Sequence, residues 1–367
     1  MMGWVGVGGV EAKMEPEPER SQCADDWLTE EVLQPGLHVC EPSAPAADGA
    51  VALTVRFDGS KAGRRADVVL SADELAGMAG TRCALEAKLA LPPRPPPQQP
   101  WALFSVSGER LTSTERLLAV GVFLLIEGGQ YVRPGVRVGH KQRALSETGR
   151  PLEVETVSLT PLIFSIKNFL TPEDCTHVIE QASGLMFNSP VVNMDKDVGK
   201  KATEWRTSRQ AWLESDMTPT IAAMSERVAR LVACPASYQE SLQVLSYALR
   251  QKYDVHLDAF DPQFYQQKPD FLERIDHGHR NRLATAFWYM TSVEEGGETI
   301  FPRAGGNEQR DSLRPFDCVL AISVTPPPTG LAHPHVNNVD ELQRERVGLL
   351  VPPEQGKIII FYNLLPK

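Results

Sequence analysis

The stretch KYDVHLDAF, residues 252–260, decides how this chain is read. It has the look of a β-strand, and in a strand side chains two apart project from the same face. His256 and Asp258 are two apart. A neutral imidazole and a carboxylate on one face suit a divalent metal. With a second histidine from elsewhere they form the two-histidine, one-carboxylate triad of non-haem iron(II) oxygenases, which leaves positions open for oxygen and a co-substrate. The pair alone is a weak signal. A chain with eight histidines can produce H-x-D by chance, and most such pairs are surface polar residues.

The surrounding text strengthens it. After Pro235 the segments SLQVLSYALRQKY, HLDAF, RLATAFWYM, ETIFP and KIIIFYNLL read as short strands separated by loops. Before them, PLIFSIKNFL (161–170) reads as a strand. Thr171 then caps a helix, with Pro172 at its first position and Asp174 closing a capping-box arrangement. Cys175, Val178, Ile179 and Ala182 fall on one face of that helix. Ile221, Met224, Val228, Leu231 and Val232 form the stripe of a second helix that starts at Thr218-Pro219. Both stripes read as core. Two helices followed by a run of strands imply an α+β arrangement, with helices backing a sandwich or barrel.

Taken together, QVLSYALRQKYDVHLDAF and RLATAFWYMTSVEEGGETIFP closely resemble the core of the prolyl 4-hydroxylases, the algal and plant members above all. WRTSRQAWL (205–213) resembles that family's Arg-Thr-Ser segment, and GLLVPPEQGKIIIFYNLLP its strand leading toward a distal histidine. The resemblance covers residues 158–367 and implies a double-stranded β-helix (jelly roll) that uses iron(II), 2-oxoglutarate, oxygen and L-ascorbate. The activity implied is hydroxylation of peptidyl proline, coupled to oxidative decarboxylation of 2-oxoglutarate to succinate. It assigns His256 and Asp258 to the metal, Tyr247 and Thr299 to 2-oxoglutarate, and Tyr253 and Arg282 to a proline-containing peptide. Ordinary strand aromatics account for Tyr247 and Tyr253 just as simply, and a β-former after a Gly-Gly turn accounts for Thr299. Lysyl or small-molecule hydroxylation shares the same iron chemistry, because a fold does not fix a substrate.

One departure from the family stands out. There the last strand is followed by a loop, the second histidine and a lysine that pairs with 2-oxoglutarate; here the sequence stops at Lys367. The expectation is therefore a C-terminally incomplete dioxygenase domain, with a catalytically inactive interaction scaffold as the alternative. His277, His279, His333 and His335 offer local H-x-H spacing. All four read more simply as polar loop residues than as replacements for the missing ligand.

The first half reads differently. Residues 1–47 are acidic and rich in Pro, Ala and Gly, which predicts a disordered tail. Residues 48–133 contain the alternating strand VALTVRF, a helix over 72–89, the extended run PPRPPPQQP, then WALFSVSGERL and GVFLLIEGGQYV. Strand, helix and short strands in that order resemble a ubiquitin-like β-grasp module, which would bind a protein partner and perform no chemistry. Residues 134–157 read by composition as a linker.

Bulk properties narrow the field. A net charge of -10 argues against a nucleic-acid partner. Six scattered cysteines form no CxxC pair, so a zinc ribbon or thioredoxin-like motif is not expected. The N-terminus lacks the basic start and long apolar run of a signal peptide, and Leu117–Ile126 is about half the roughly 20 residues needed to cross a bilayer. These features predict a cytoplasmic protein, or one of the endoplasmic reticulum, as the family implies, if the true start lies elsewhere.

Overall fold

A computed structural model of the chain describes residues 2–8, 49–57, 65–92, 101–105, 108–126, 131–133, 135, 138–145, 150–199, 201–304, 319–323 and 348–363. It divides into two units. The C-terminal unit holds Met1–Gly9, Val157–Val228 and Ala236–Leu365; the N-terminal unit holds Val10–Thr156, Ala229–Pro235 and Pro366–Lys367.

The first element, β1 (Met2–Gly8), lies in the stretch expected to be a disordered tail, so that expectation is corrected for these residues. Trp4, Val5 and Val7 are interspersed with glycines in a way that composition alone obscures, and a strand-compatible segment is ordered once both its edges are paired. The polyproline run, except for its first residue, and most of the acidic tail lie outside the described residues.

In the N-terminal unit, β2 (Val51–Phe57) and β3 (Arg65–Leu70) pair antiparallel, and α1 (Met78–Lys88) follows. Then come β4 (Ala102–Phe104), α2 (Thr114–Val120) and β5 (Val122–Ile126). The sheet order is β3-β2-β5-β4, with β2 and β5 parallel at its centre. Val51, Leu53, Val55, Leu103, Phe123 and Leu125 pack one core with Leu85 and Leu117 of the helices. Ala102, Phe104, Leu124, Ile126 and Tyr131 fill a second core on the opposite face. Because β5 is covered on both faces, its sequence VFLLI is continuously apolar rather than alternating.

The linker assigned to 134–157 is also corrected. It contains β6 (Lys141–Leu145), paired antiparallel with β7 (Pro151–Leu159), which ends in the C-terminal unit. Along PLEVETVSL every second residue, from Leu152 to Ser158, is buried. The polar residues that made this segment look like a linker are the outward half of a period-two pattern.

The C-terminal unit continues with β8 (Leu162–Ile166), α3 (Pro172–Ser183), β9 (Phe187–Asn188), α4 (Ala202–Trp205), β10 (Arg209–Leu213) and α5 (Pro219–Val232). It closes with β11 (Leu242–Ser246), β12 (Lys252–Leu257), α6 (Pro269–Arg274), β13 (Arg282–Tyr289), β14 (Thr299–Phe301), β15 (Val319–Ser323), β16 (Leu349–Val351) and β17 (Ile358–Tyr362). Two antiparallel sheets result, one ordered β8-β17-β13-β1-β11-β10-β9 and one ordered β12-β15-β14-β16. Ile163, Leu245, Phe287, Tyr289, Ile359 and Phe361 of the larger sheet pack against Phe301 and Val351 of the smaller. Antiparallel sheets with helices set apart from them make the class α+β. The turn before β17 requires glycine. Gly356 sits at φ +79, and a Cβ there would meet the Leu170 carbonyl oxygen at 2.5 Å.

The expected helix start at Thr171 is present in full: its hydroxyl accepts from the Asp174 amide at 3.1 Å, and the Asp174 carboxylate accepts from the Thr171 amide at 3.1 Å. The same carboxylate pairs with Arg227 of α5 at 2.7 Å, so the cap also joins two helices. No helix among the described residues is long and apolar enough to cross a membrane. Substituting Thr171→Ala is expected to cost about 1 kcal/mol in urea unfolding, the usual worth of such a cap. Asp174→Ala should cost more, because it also strips the partner from a half-buried guanidinium.

Candidate metal and co-substrate site

β12 delivers the two expected metal ligands. His256 lies within the strand and Asp258 just past its end, with His256 Nε2 3.6 Å from Asp258 Oδ1. The other ring nitrogen, Nδ1, bonds the Asp254 carbonyl oxygen at 2.7 Å. A carbonyl only accepts, so Nδ1 carries a proton, and Nε2 is the nitrogen that faces the carboxylate. This is how protein metal ligands are usually oriented.

Asp258 is buried and held from the neighbouring sheet. Its Oδ2 accepts from Thr285 Oγ1 at 2.8 Å, and Thr285 Oγ1 accepts in turn from Asn363 Nδ2 at 2.9 Å. Arg282 Nη1 reaches the Asp258 carbonyl oxygen at 3.3 Å. Burial pushes the carboxyl pKa up. The hydrogen bond and charge of His256, with Arg282 and Thr285, outweigh it and hold the group below the usual aspartate range. In the absence of a metal the two side chains pair with each other, and the same nitrogen and oxygen, side by side, are the donor types that suit a divalent cation. Among the described residues no group of three His, Cys, Asp or Glu side chains converges, so these two are the protein donors the structure supplies.

Tyr253 joins the site in an unexpected way. Three residues apart in a regular strand, Tyr253 and His256 would face opposite sides. The pairing of β12 with β15 shifts register between them, and such a bulge turns both to one side. Their rings stack at 3.5 Å with 16° between planes, and the Arg206 guanidinium lies over the Tyr253 ring, 4.5 Å from its centre. Arg282, read from the sequence as facing a peptide, is gripped by both oxygens of Glu240 at 2.7 and 2.9 Å and lies over Phe260. Thr299 is fully buried and accepts from the Tyr289 hydroxyl at 2.8 Å, a second polar link between the two sheets.

The Tyr247 hydroxyl is buried near Arg206 and Ser208, without a hydrogen bond of good geometry to any described residue. His277 and His279 are exposed around a turn, with His277 at φ 50. His333, His335 and Lys367 lie outside the described residues. Sequence reading missed Arg206, Ser208, Thr285 and Asn363 as members of the site. Each is a polar residue inside or beside an otherwise apolar strand, and that was the available signal.

Replacing Thr285 with Val removes the donor to Asp258 while keeping its shape. The expected result is a 10- to 100-fold loss of affinity for Mn(II), the usual worth of such an outer partner, read by titration with electron paramagnetic resonance. A second expectation concerns alkali. Burial raises the pKa values of Tyr131, Tyr247, Tyr253, Tyr265 and Tyr289, with Tyr247 and Tyr265 pushed up to about 12. The stability they contribute is whole below about pH 10, the value for an unfolded tyrosine, and is lost as pH rises through the folded values. Tyrosinate absorbance should therefore lag behind simple titration above pH 10 and appear together with loss of circular dichroism.

The chain is 31% identical over 257 residues to a probable prolyl 4-hydroxylase 3 of Arabidopsis thaliana, covering 68% of this chain and 77% of that protein. It is 31% identical over 214 residues to probable prolyl 4-hydroxylase 10 and over 213 residues to prolyl 4-hydroxylase 5 of the same plant, spanning 62% and 61% of their lengths. Among solved structures it is similar to a viral collagen prolyl hydroxylase from Paramecium bursaria Chlorella virus-1, in complex with 2-oxoglutarate, at 20% identity and a TM-score of 0.30 over 55% of this chain and 77% of that one. No protein-family model matches. With near a third of positions shared across more than three quarters of a relative's length, the chain belongs to the prolyl 4-hydroxylase family of 2-oxoglutarate-dependent dioxygenases.

Proposed function

We propose that this protein hydroxylates prolyl residues of a peptide or protein substrate, using iron(II), 2-oxoglutarate and oxygen, with L-ascorbate as the supporting reductant. The observation that carries the reading is the pairing of His256 Nε2 with Asp258 Oδ1, each held from behind by a group that fixes its orientation and protonation. Bound there, the metal would supply the chelation of a 2-oxo acid and the activation of oxygen. The chain's own residues do the rest. His256 and Asp258 offer one nitrogen and one oxygen donor, Thr285 and Asn363 keep the carboxylate aimed, and the apolar core between the sheets keeps water from the inner side. Tyr247 and Thr299 are read as lining the co-substrate's end of the site. Tyr253, stacked on His256, is read as the surface nearest a peptide.

Two finer structural readings belong to this proposal. The facing antiparallel sheets of the C-terminal unit support a jelly roll. The order β3-β2-β5-β4, with the two central strands parallel, supports a β-grasp module in the N-terminal unit, whose part would be to hold a protein partner.

The two donors found among the described residues favour one rival, an interaction scaffold that has lost catalysis. Succinate formed from 2-oxoglutarate in the presence of iron(II) and a proline-rich peptide separates the readings. The expected result is turnover by the wild-type chain that falls to background in His256→Ala and Asp258→Ala, each folded by circular dichroism. A well-folded wild-type chain that binds no metal and forms no succinate would leave the scaffold.

A further inference from the structure

β1 comes first in the sequence, yet it lies in the middle of the larger sheet of the C-terminal unit. It runs antiparallel to β13 on one side and to β11 on the other. Without it that sheet falls into two pieces, one ending at β13 and the other at β11. The candidate site straddles this seam. Thr285 of β13 and Asn363 after β17 aim Asp258 from the first piece. Tyr247 follows β11, and Arg206 and Ser208 precede β10, in the second. Gly6 is paired directly with Thr285, so the strand that joins the pieces runs beside the donor to Asp258.

The slot is demanding and its occupant is slight. An open strand edge leaves a row of backbone N–H and C=O groups unpaired. Residues 242–245 of β11 and 284–289 of β13 are buried, so water cannot easily replace a missing partner there. β1 fills the slot with three glycines in seven residues. Glycine loses the most freedom on being ordered into a strand, and it brings no side chain to pack. Pairing with β13 extends over seven residues, with a shift of register between Val7 and Gly8, but pairing with β11 covers three. The next element among the described residues, β2, belongs to the other unit, and 40 residues separate Gly8 from Gly49. No hairpin holds β1 in place. A strand held this lightly, in a slot that must be filled, is one that exchanges.

Resting on the metal site of the function proposed above, we propose that β1 is a detachable strand. Its insertion between β11 and β13 assembles the site, and its withdrawal loosens the support that Thr285 gives Asp258. The slot is thus a binding site for an extended peptide segment held by main-chain hydrogen bonds, and Met2–Gly8 of this chain is its occupant.

The test adds a fluorescent synthetic peptide of residues 1–9 to the full chain and to a variant lacking residues 2–8. Peptide uptake is read by anisotropy and Mn(II) affinity by electron paramagnetic resonance. The deletion is expected to take up the peptide quickly, and to bind Mn(II) about tenfold or more weakly until the peptide is supplied. The full chain should take it up slowly, at the rate at which β1 leaves. Gly3 and Val244 are directly opposed, so a Gly3→Cys, Val244→Cys pair, once oxidised, locks the strand in place. The locked chain should refuse the peptide, bind Mn(II) as the wild type does, and regain uptake on reduction. Because this pair is made in the full chain, the test stands even where the deletion does not fold. Oxidised and reduced forms that exclude the peptide equally overturn the proposal. So does a folded deletion that binds Mn(II) as tightly as the full chain. A full chain that binds no Mn(II) overturns the proposed function and the part of β1 in it; peptide uptake that only the disulfide blocks still shows a detachable strand.

Discussion

The hydrogen-bonded chain Asp258–Thr285–Asn363 is the constraint on which the C-terminal unit turns. Asp258 ends a strand of the smaller sheet, Thr285 lies inside β13 of the larger, and Asn363 directly follows β17. A carboxylate buried between two apolar sheets would be expensive alone. Here it gathers a hydroxyl donor on one oxygen and faces an imidazole with the other, and Arg282 adds positive charge nearby. The sheets must therefore close in one register for the charge to be tolerated, and closing them aims the carboxylate. Stability of the packing and orientation of the candidate ligand come from the same bonds. The second polar link, Tyr289 to Thr299, repeats the device farther along β13.

Around His256 the logic is one of stacking. The register shift in β12 turns Tyr253 toward the imidazole, and the Asp254 carbonyl fixes the tautomer from the strand itself. Arg206 closes the stack from outside the strand, held by the bridge that joins its segment to β12. Lys252 meanwhile neutralises the buried Asp254 at 2.9 Å, so the negative charge left facing the ligand edge is that of Asp258. Arg282 is spent differently. With Glu240 in its fork it braces the start of β13 against the Asp258 backbone, a supporting role that its position in the sequence did not suggest.

Much of the architecture was legible in the residues, for identifiable reasons. Thr171, Pro172 and Asp174 specify a helix start locally, because all the atoms of a capping box lie within one turn. The stripe from Ile221 to Val232 and the runs RLATAFWYM and KIIIFYNLL are periodic enough to survive any packing. The failures came where pattern was diluted. Three of the seven residues of β1 are glycine, and β7 shows its polar face to water. Both segments are strands because neighbours pair with them, a non-local cause that composition cannot register.

For the candidate site, the sequence by itself brought His256 and Asp258 together. They are two residues apart, at the end of β12 and just beyond it, and local backbone geometry is enough to bring them side by side. What surrounds the pair was decided only by tertiary structure. Thr285 and Asn363 lie 27 and 105 residues beyond Asp258 in the chain, Arg206 lies 50 residues before His256, and Glu240, which grips Arg282, lies 42 residues before it. Hydrogen bonds, ion pairs and ring stacks act over a few ångströms, so which residues meet depends on how the sheets close rather than on their spacing along the chain.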